Sequence, residues 1–357
     1  MIRYYWHIFV TMSRQDQILF ILTLSILLLL LFVIFLAFST FYLRARNNRK
    51  SRKYYRLERV WEPLLLEILS EERAPESIQS HVHPDDVWQF LTYLSRYIAR
   101  VDGEARQRLI EAGRPYVKRI LNKLHSWKVE KRAEVISLLQ RMDPDQYDRA
   151  FRKGLNDSSF LVNMVAARAL ARKGHVDNGE AILRHLDRFK IWSVNLLSSL
   201  IAQVGNGLGP ALRALMIDRD EPDWQRTVAI ETLHKLYDFK AGDYAQVICT
   251  PEENREVVAA YLRLLRVIGE EKHIPYIKQA CERDDPVLLA HGIRILVHLE
   301  KEKYPSCLSK AMDHSSIWVV INAAWGLKEA GKLDVLRHYA YSDHPRAELA
   351  RQVLTEV

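Results

Sequence analysis

Cysteine is scarce: Cys249, Cys281 and Cys307 are an odd number with no CxxC spacing. That excludes a disulfide framework or a zinc ribbon and reads as small buried thiols in a reducing compartment. Glycine and proline are also few, 13 and 12 in 357 residues, which suits a mostly helical protein. No GxSxG, HExxH, Walker loop or GxGxxG occurs, so the common hydrolase, zincin, P-loop and dinucleotide signatures are missing. The GNGLG at 205–209 lacks a following Lys and a preceding strand and reads as an inter-helix turn.

Two stretches lack charge of one or both signs. From Gln17 to Leu43 the chain runs 27 residues without a charge. About 20 apolar residues span a bilayer as a helix, so this run is long enough to cross with some tilt. A signal-peptide core is shorter and closes on a small-residue site. Here no Ala-x-Ala follows, and an uncleaved anchor is expected. Arg44–Arg56 then places seven basic residues in thirteen, Arg44, Arg46, Arg49, Lys50, Arg52, Lys53 and Arg56, with no acid. Such a cluster marks the cytoplasmic flank. The other flank has only Arg3 and Arg14, with Asp16. The expected topology is single-pass, N-terminus outside and C-terminal domain cytoplasmic, with the basic run against anionic lipid headgroups at about 1 kcal/mol per Lys/Arg.

The net charge of +8 and pI near 9.2 invite a nucleic-acid reading, which the charge distribution excludes. Residues 1–56 hold nine of the 52 Lys/Arg and one of the 44 acids, which leaves 43 of each in the remainder. The large C-terminal part is formally neutral, and no nucleic-acid partner is expected.

Residues 58–126 read as irregular helices, with Val60, Leu64, Leu65, Ile68 and Leu69, then Val87, Phe90, Leu91, Leu94 and Ile98, at helical spacing. Between them ERAPESIQSHVHPDD reads as a loop ending at a helix N-cap near Pro84–Asp85. Further on, DSSFLVNMVAARALARKG (157–174) returns as DHSSIWVVINAAWGLKEAG (313–331). The closing Leu of this unit recurs at Leu139, Leu170, Leu200, Leu233, Leu265, Leu296, Leu327 and Leu354, at intervals of 27 to 33 residues. A sustained period near 31 signals a solenoid of stacked helix pairs. Asp157, Asp187, Asp220, Asp285, Asp313 and Asp343 precede the second helix of each unit and are expected to cap it. Pro222, Pro286 and Pro345 fit its first turn. Gly174, Gly205, Gly269 and Gly331 fit helix C-termini, and small residues such as Ala166 and Gly292 allow close helix approach.

These residues resemble the HEAT-repeat family in its short, phycobilin-lyase-type form, over roughly Trp127 to Val357. The resemblance implies an all-α fold: an N-terminal transmembrane helix followed by an α-solenoid of HEAT-like helix pairs, the second helix of each lining the concave side. The expected divisions are a short extracytoplasmic N-terminus (1–17), a transmembrane helix (18–43), a basic juxtamembrane linker (44–57), an irregular helical cap (58–126) and the repeat array (127–357). With the anchor and the WEPLLLEIL stretch, the chain resembles bacterial membrane-anchored HEAT-repeat proteins associated with polysaccharide-making glycosyltransferases. That implies the bacterial inner membrane, and as partner a membrane-embedded glycosyltransferase of envelope or exopolysaccharide synthesis. One departure is visible: the Arg common after the helix-starting Val is Asn163, Val258, Leu289 or Val320 here, and is kept as Arg226.

No catalytic residue, cofactor site or metal site is assigned. The di-iron hydroxylases of the HEAT fold use His-Glu pairs, and none of the thirteen His here precedes a Glu. HVHPDD (81–86) is the one crowded His/acid cluster and reads as an exposed loop. What is left is a recognition surface. Counting back from each closing Leu places Arg168, Asn195, Ser198, Glu231, Arg263, His291, Arg294, Asn322, Trp325 and Gln352 on the concave side, with Arg263 and Arg294 about one repeat apart. Arg168, Asn195, Glu231, Arg263, His291, Arg294, Asn322 and Trp325 form the expected partner-binding set. Trp192, Trp224 and Trp318, at matching positions, read as packing between units. The expected function is a non-catalytic scaffold or regulatory subunit. The alternatives are a HEAT-fold lyase or metal enzyme using His81, His83 or His291, and a structural part of a secretion complex.

Overall fold

A computed structural model of the chain describes residues 13–142, 145–283, 285–300, 308 and 311–356. Every regular element among them is helical, with no strand. The chain divides into two compact units, Met1–Arg119 and Ile120–Val357. Cys307 and Arg3, which the sequence reading uses, lie outside the described residues.

The first unit begins with α1 (Arg14–Leu69), 56 residues long and capped by the Ser13 hydroxyl, which accepts from the Asp16 N–H. Its segment Arg14–Ala45 is long and apolar enough to cross a membrane and buries none of its apolar window. The stretch 44–57, expected as a linker, is instead the continuation of the same helix. Arg and Lys are good helix formers, and no Gly or Pro interrupts the chain before Pro63, so nothing ends the hydrogen-bond ladder there. Further along α1, Trp61, Leu64, Leu65 and Ile68 are buried at helical spacing. Against them pack α2 (Val87–Ile98) and a 3-10 turn, Pro75–His81; a second 3-10 turn, Pro84–Asp86, packs on α2, both turns lying in the segment expected as a plain loop. Trp61 stacks edge-on against Phe90 at 5.3 Å, and its Nε1–H donates to the His81 carbonyl at 3.2 Å. Asp86 does not cap α2 with its side chain; its carboxylate pairs with Lys53 of α1 at 2.5 Å. From α3 (Gly103–Leu121), Tyr116 meets Phe90 at 5.3 Å and closes this core.

In the second unit the helices are α4 (Val129–Met142), α5 (Asp148–Leu155), α6 (Phe160–Ala171), α7 (Val176–Leu183), α8 (Val194–Ile201) and α9 (Gly209–Ile217). They continue as α10 (Asp223–Leu236), α11 (Ala245–Ile248), α12 (Arg255–Ile268), α13 (Ile274–Cys281), α14 (Pro286–Leu299), α15 (Ile317–Glu329), α16 (Leu333–Ala340) and α17 (Ala347–Thr355). The periodic Leu residues lie on α4, α6, α8, α10, α12, α14, α15 and α17. All are buried except Leu354, which packs partly buried on the C-terminal core. Each of these helices touches the next in that order. Burying one such Leu contributes about 1.5–3 kcal/mol, and the seven fully packed ones run through the unit's apolar core.

The helix starts differ from expectation. Asp285 caps α14 as expected, its Oδ1 accepting from the N–H groups of Val287 and Leu288. Elsewhere the cap is Ser193 for α8 and Asn254 for α12, while Pro222 precedes α10 without a side-chain cap. Asp157 accepts from Ser159 N but spends its carboxylate on Arg132, and Asp313 pairs with His344. Asp157 lies two residues before the N-cap Ser159, and Asp313 three before the N-cap Ser316, so each falls short of the first turn and bridges units instead. Gly174, Gly205 and Gly331 do adopt positive φ, whereas Gly269 sits at −65° and ends α12 in extended backbone.

Candidate functional site

Four successive Leu-bearing helices, α8, α10, α12 and α14, line an open groove of about 460 Å³. Its wall is made by Val194 and Asn195, then Thr227 and Glu231, then Arg255, Glu256, Ala259 and Arg263, and last Val287. Residues four apart on a helix share a face. That spacing is why 227 and 231 point into the groove from α10, and 255, 259 and 263 from α12.

Three of the sequence-expected residues, Asn195, Glu231 and Arg263, meet here. Glu231 Oε1 accepts from both Nε (2.8 Å) and Nη2 (2.6 Å) of Arg263, and the Asn195 side-chain Oδ1 accepts from Lys235 Nζ at 2.9 Å. Each bond joins one helix of the row to another. Burial pushes the Glu231 carboxyl up, but hydrogen bonds from His234 and Arg263 outweigh it and hold its pKa below the usual value. His291 is half-buried on α14, its pKa pushed down to about 4 by burial first, then by Arg263 and Arg266, with Arg294 adding and Glu231 opposing. Arg294 is turned toward α15, where it pairs with Glu329.

The other expected residues are placed differently. Arg168, on α6, is exposed and outside the groove lining. Ser198 faces inward, fully buried, its hydroxyl donating to the Asn195 carbonyl. Asn322 is also buried, because α15 is flanked by both α14 and α17; its amide donates to the Trp318 carbonyl. Trp325 packs half-buried on the C-terminal core with Lys328 5.0 Å above its ring. Trp318, expected as packing between units, is 52% exposed. His83 Nδ1 accepts from the Asp85 N–H at 3.3 Å, and His81 Nδ1 bonds the Ser80 hydroxyl at 2.9 Å. Among the described residues no group of three or more His, Cys, Asp or Glu is placed to hold a metal ion. Of the basic run on α1, Lys53 is engaged by Asp86, Arg44, Arg52 and Arg56 are exposed, and the side chains of Arg46, Arg49 and Lys50 lie outside the described residues.

The lining residues missed from sequence are Val194, Thr227, Arg255, Glu256, Ala259 and Val287. They fall six to ten residues before the periodic Leu, off the two positions used to count the face. A helical-wheel reading of α12 would have found Arg255 and Ala259, because 255, 259, 263 and 266 fall on one stripe.

No protein-family model matches the chain, and no curated protein matches it.

Proposed function

We propose that this chain is a non-catalytic, single-pass membrane scaffold whose C-terminal unit is a HEAT-like α-solenoid that binds a partner protein in the groove across α8, α10, α12 and α14. The observation that carries this reading is the groove's construction: four non-consecutive helices, tied by side-chain bonds between them, present one continuous polar and apolar wall. Arginine in a partly desolvated setting is a favoured anchor for protein recognition. The apolar helix at the N-terminus and the basic run that follows it support anchoring in a bacterial inner membrane with the C-terminal unit on the cytoplasmic side. The exposed members of that run, Arg44, Arg52 and Arg56, are suited to anionic lipid headgroups. The resemblance to membrane-anchored HEAT-repeat proteins supplies the partner class: a membrane-embedded glycosyltransferase of envelope or exopolysaccharide synthesis.

The test is site-specific photocrosslinking in intact membranes, with the probe amino acid at Asn195 or Ala259 and, as control, at Arg184 beyond the end of α7. The expected result is one discrete membrane-protein adduct from both groove positions and none from the control, identified by mass spectrometry. A ladder of adducts shared with the control position, or no adduct at all, would sink the proposal.

A further inference from the structure

The loops that lead into α4, α6 and α8 present large apolar side chains to solvent. Trp127 is 84% exposed, Phe160 55% and Ile191 63%, with Leu161 beside Phe160 at the start of α6. Two arginines stitch the three loops into one edge of the second unit. Arg132 of α4 donates to the Ser126 carbonyl at 2.8 Å and the Trp127 carbonyl at 3.4 Å, and pairs with Asp157 at 2.7 Å. Arg188 donates to the Asp157 carbonyl at 3.3 Å. The same loops, 122–128, 156–159 and 184–193, are basic: Lys123, Lys128, Arg184, Arg188 and Lys190 face Asp157 and Asp187, and Asp157 is taken by Arg132. The next two loops of this kind, 218–222 and 249–254, reverse both properties. They hold five acids, Asp218, Asp220, Glu221, Glu252 and Glu253, to one base, Arg219, and no exposed large hydrophobic. Ile317 and Trp318 are exposed as well, but the loop before them, 313–316, has an acid, Asp313, and neither Lys nor Arg. Exposed apolar side chains and positive charge thus coincide on the three stitched loops.

We propose that this edge lies on an anionic bilayer surface, with Trp127, Phe160 and Ile191 at headgroup depth and Lys128, Arg188 and Lys190 among the lipid phosphates. This rests on the membrane-anchoring reading above and adds a second bilayer contact, made by the C-terminal unit. Tryptophan favours that depth because its ring is apolar while its N–H stays among polar groups. Lys128 is exposed and sits 5.0 Å over the Trp127 ring, so it brings charge to the same place. Lysine and arginine lay their apolar stems along such a surface and keep their charge in water. A second copy docked edge to edge would set these bases against each other, which disfavours it. So few apolar groups and bases do not hold the chain to lipid by themselves. Tethering by α1 makes the contact intramolecular and raises its effective concentration.

The experiment places an environment-sensitive fluorescent amino acid at Phe160, at Ile191 or, for comparison, at Tyr237, 62% exposed at the end of α10. The full-length chain is held in phosphatidylcholine nanodiscs with or without about 30% phosphatidylglycerol, and lipid spin-labelled at the headgroup reports contact by quenching. In anionic discs the emission at 160 and 191 is expected to shift to the blue and to fall about twofold or more with the quencher, while 237 does neither. Discs without phosphatidylglycerol, or Lys128→Glu/Lys190→Glu in anionic discs, should abolish most of the quenching. Both lysines are exposed, so the double variant is expected to melt like the unaltered chain, and circular dichroism checks this. Absence of quenching at 160 and 191, quenching that the charge reversal leaves unchanged, or a blue shift without quenching, which marks a protein cover, overturns the inference. A probe at Leu29, read with lipid spin-labelled on its acyl chain, reports insertion of α1. If Leu29 is quenched while 160 and 191 are not, the anchor stands and the edge inference alone fails; if none is quenched, anchoring itself fails.

Discussion

Arg226 and Asn163 occupy the same place, seven residues before the periodic Leu of their helices. Each ties the loop ahead of its helix to the body of the unit. Arg226 donates from Nε to the Met216 carbonyl and from its two terminal nitrogens to Glu253 at 2.8 and 2.7 Å, the two side chains being 3% and 4% exposed. Asn163 does the same work with a shorter side chain, its amide donating to the carbonyls of Gly154, Leu155 and Asp157. Removing one member of a buried pair leaves an uncompensated charge, so Arg226→Met is expected to cost about 3–5 kcal/mol. Adding Glu253→Leu should recover most of the melting temperature; a double variant as unstable as the single would mean that packing, not charge, is lost. His291 gives a second expectation. Its folded pKa is about 4 against 6.5 unfolded, so above pH 6.5 it is neutral in both states and leaves stability unchanged. As pH falls from 6.5 toward 4 the unfolded chain takes up the proton first, and stability is lost. His291→Gln should flatten that limb of a melting-temperature curve, with a residue left by His273, which burial also lowers. An unaltered slope would remove His291 as its source. Sequence spacing found Arg263 and Glu231 but not that they bond each other, because counting along one chain does not measure the distance between two helices.

At the scale of the element, the periodic Leu was the most legible feature, since one residue type at one register is what close packing of equivalent helices selects. The caps were less legible. Ser, Asn, Asp and Pro all serve at helix starts, and a loop longer by one residue moves the role from one to the next. A close contact between α13 and α14 can be tested directly. A methyl group at Gly292 of α14 would collide with Sγ of Cys281 on α13. Gly292→Ala is therefore expected to lower stability by about 1–3 kcal/mol, the usual cost of overpacking. Cys281→Ala in the same chain should return most of it, and an equal loss in the double variant would show that the strain lies elsewhere. The basic stretch of α1, expected as a juxtamembrane linker, is helical because charge alone does not break a helix. Limited trypsin digestion of membranes separates the two cases. A continuous helix should cut slowly at Arg44–Arg56, and Asn48→Pro, which removes a ladder bond and clashes with the preceding turn, should make it cut fast. Equal rates would mean that the stretch is already open.

The whole molecule keeps its excess charge beside the apolar helix, while the 43 acids and 43 bases of residues 57–357 cancel. On the anchoring proposed above, two forces of different salt dependence would act at a bilayer. Insertion of Arg14–Ala45 depends on apolar burial, which salt does not weaken. Attraction of the basic stretch to anionic headgroups is screened within about 10 Å at 0.1 M ionic strength. Lys53 is already held by Asp86, so that attraction is weaker than seven free charges would give. The full chain should accordingly stay in the membrane pellet through washes of 1 M salt and alkaline carbonate and leave it only in detergent. Replacing Leu27, Leu29 and Leu31 by Asp should abolish insertion and leave a salt-sensitive residue of binding to vesicles containing phosphatidylserine, lost near 0.3 M salt, where screening is nearly complete. Release of the unaltered chain by salt alone would show that Arg14–Ala45 does not insert. Retention of the triple-Asp variant at high salt would show that a surface other than α1 holds the chain to the membrane.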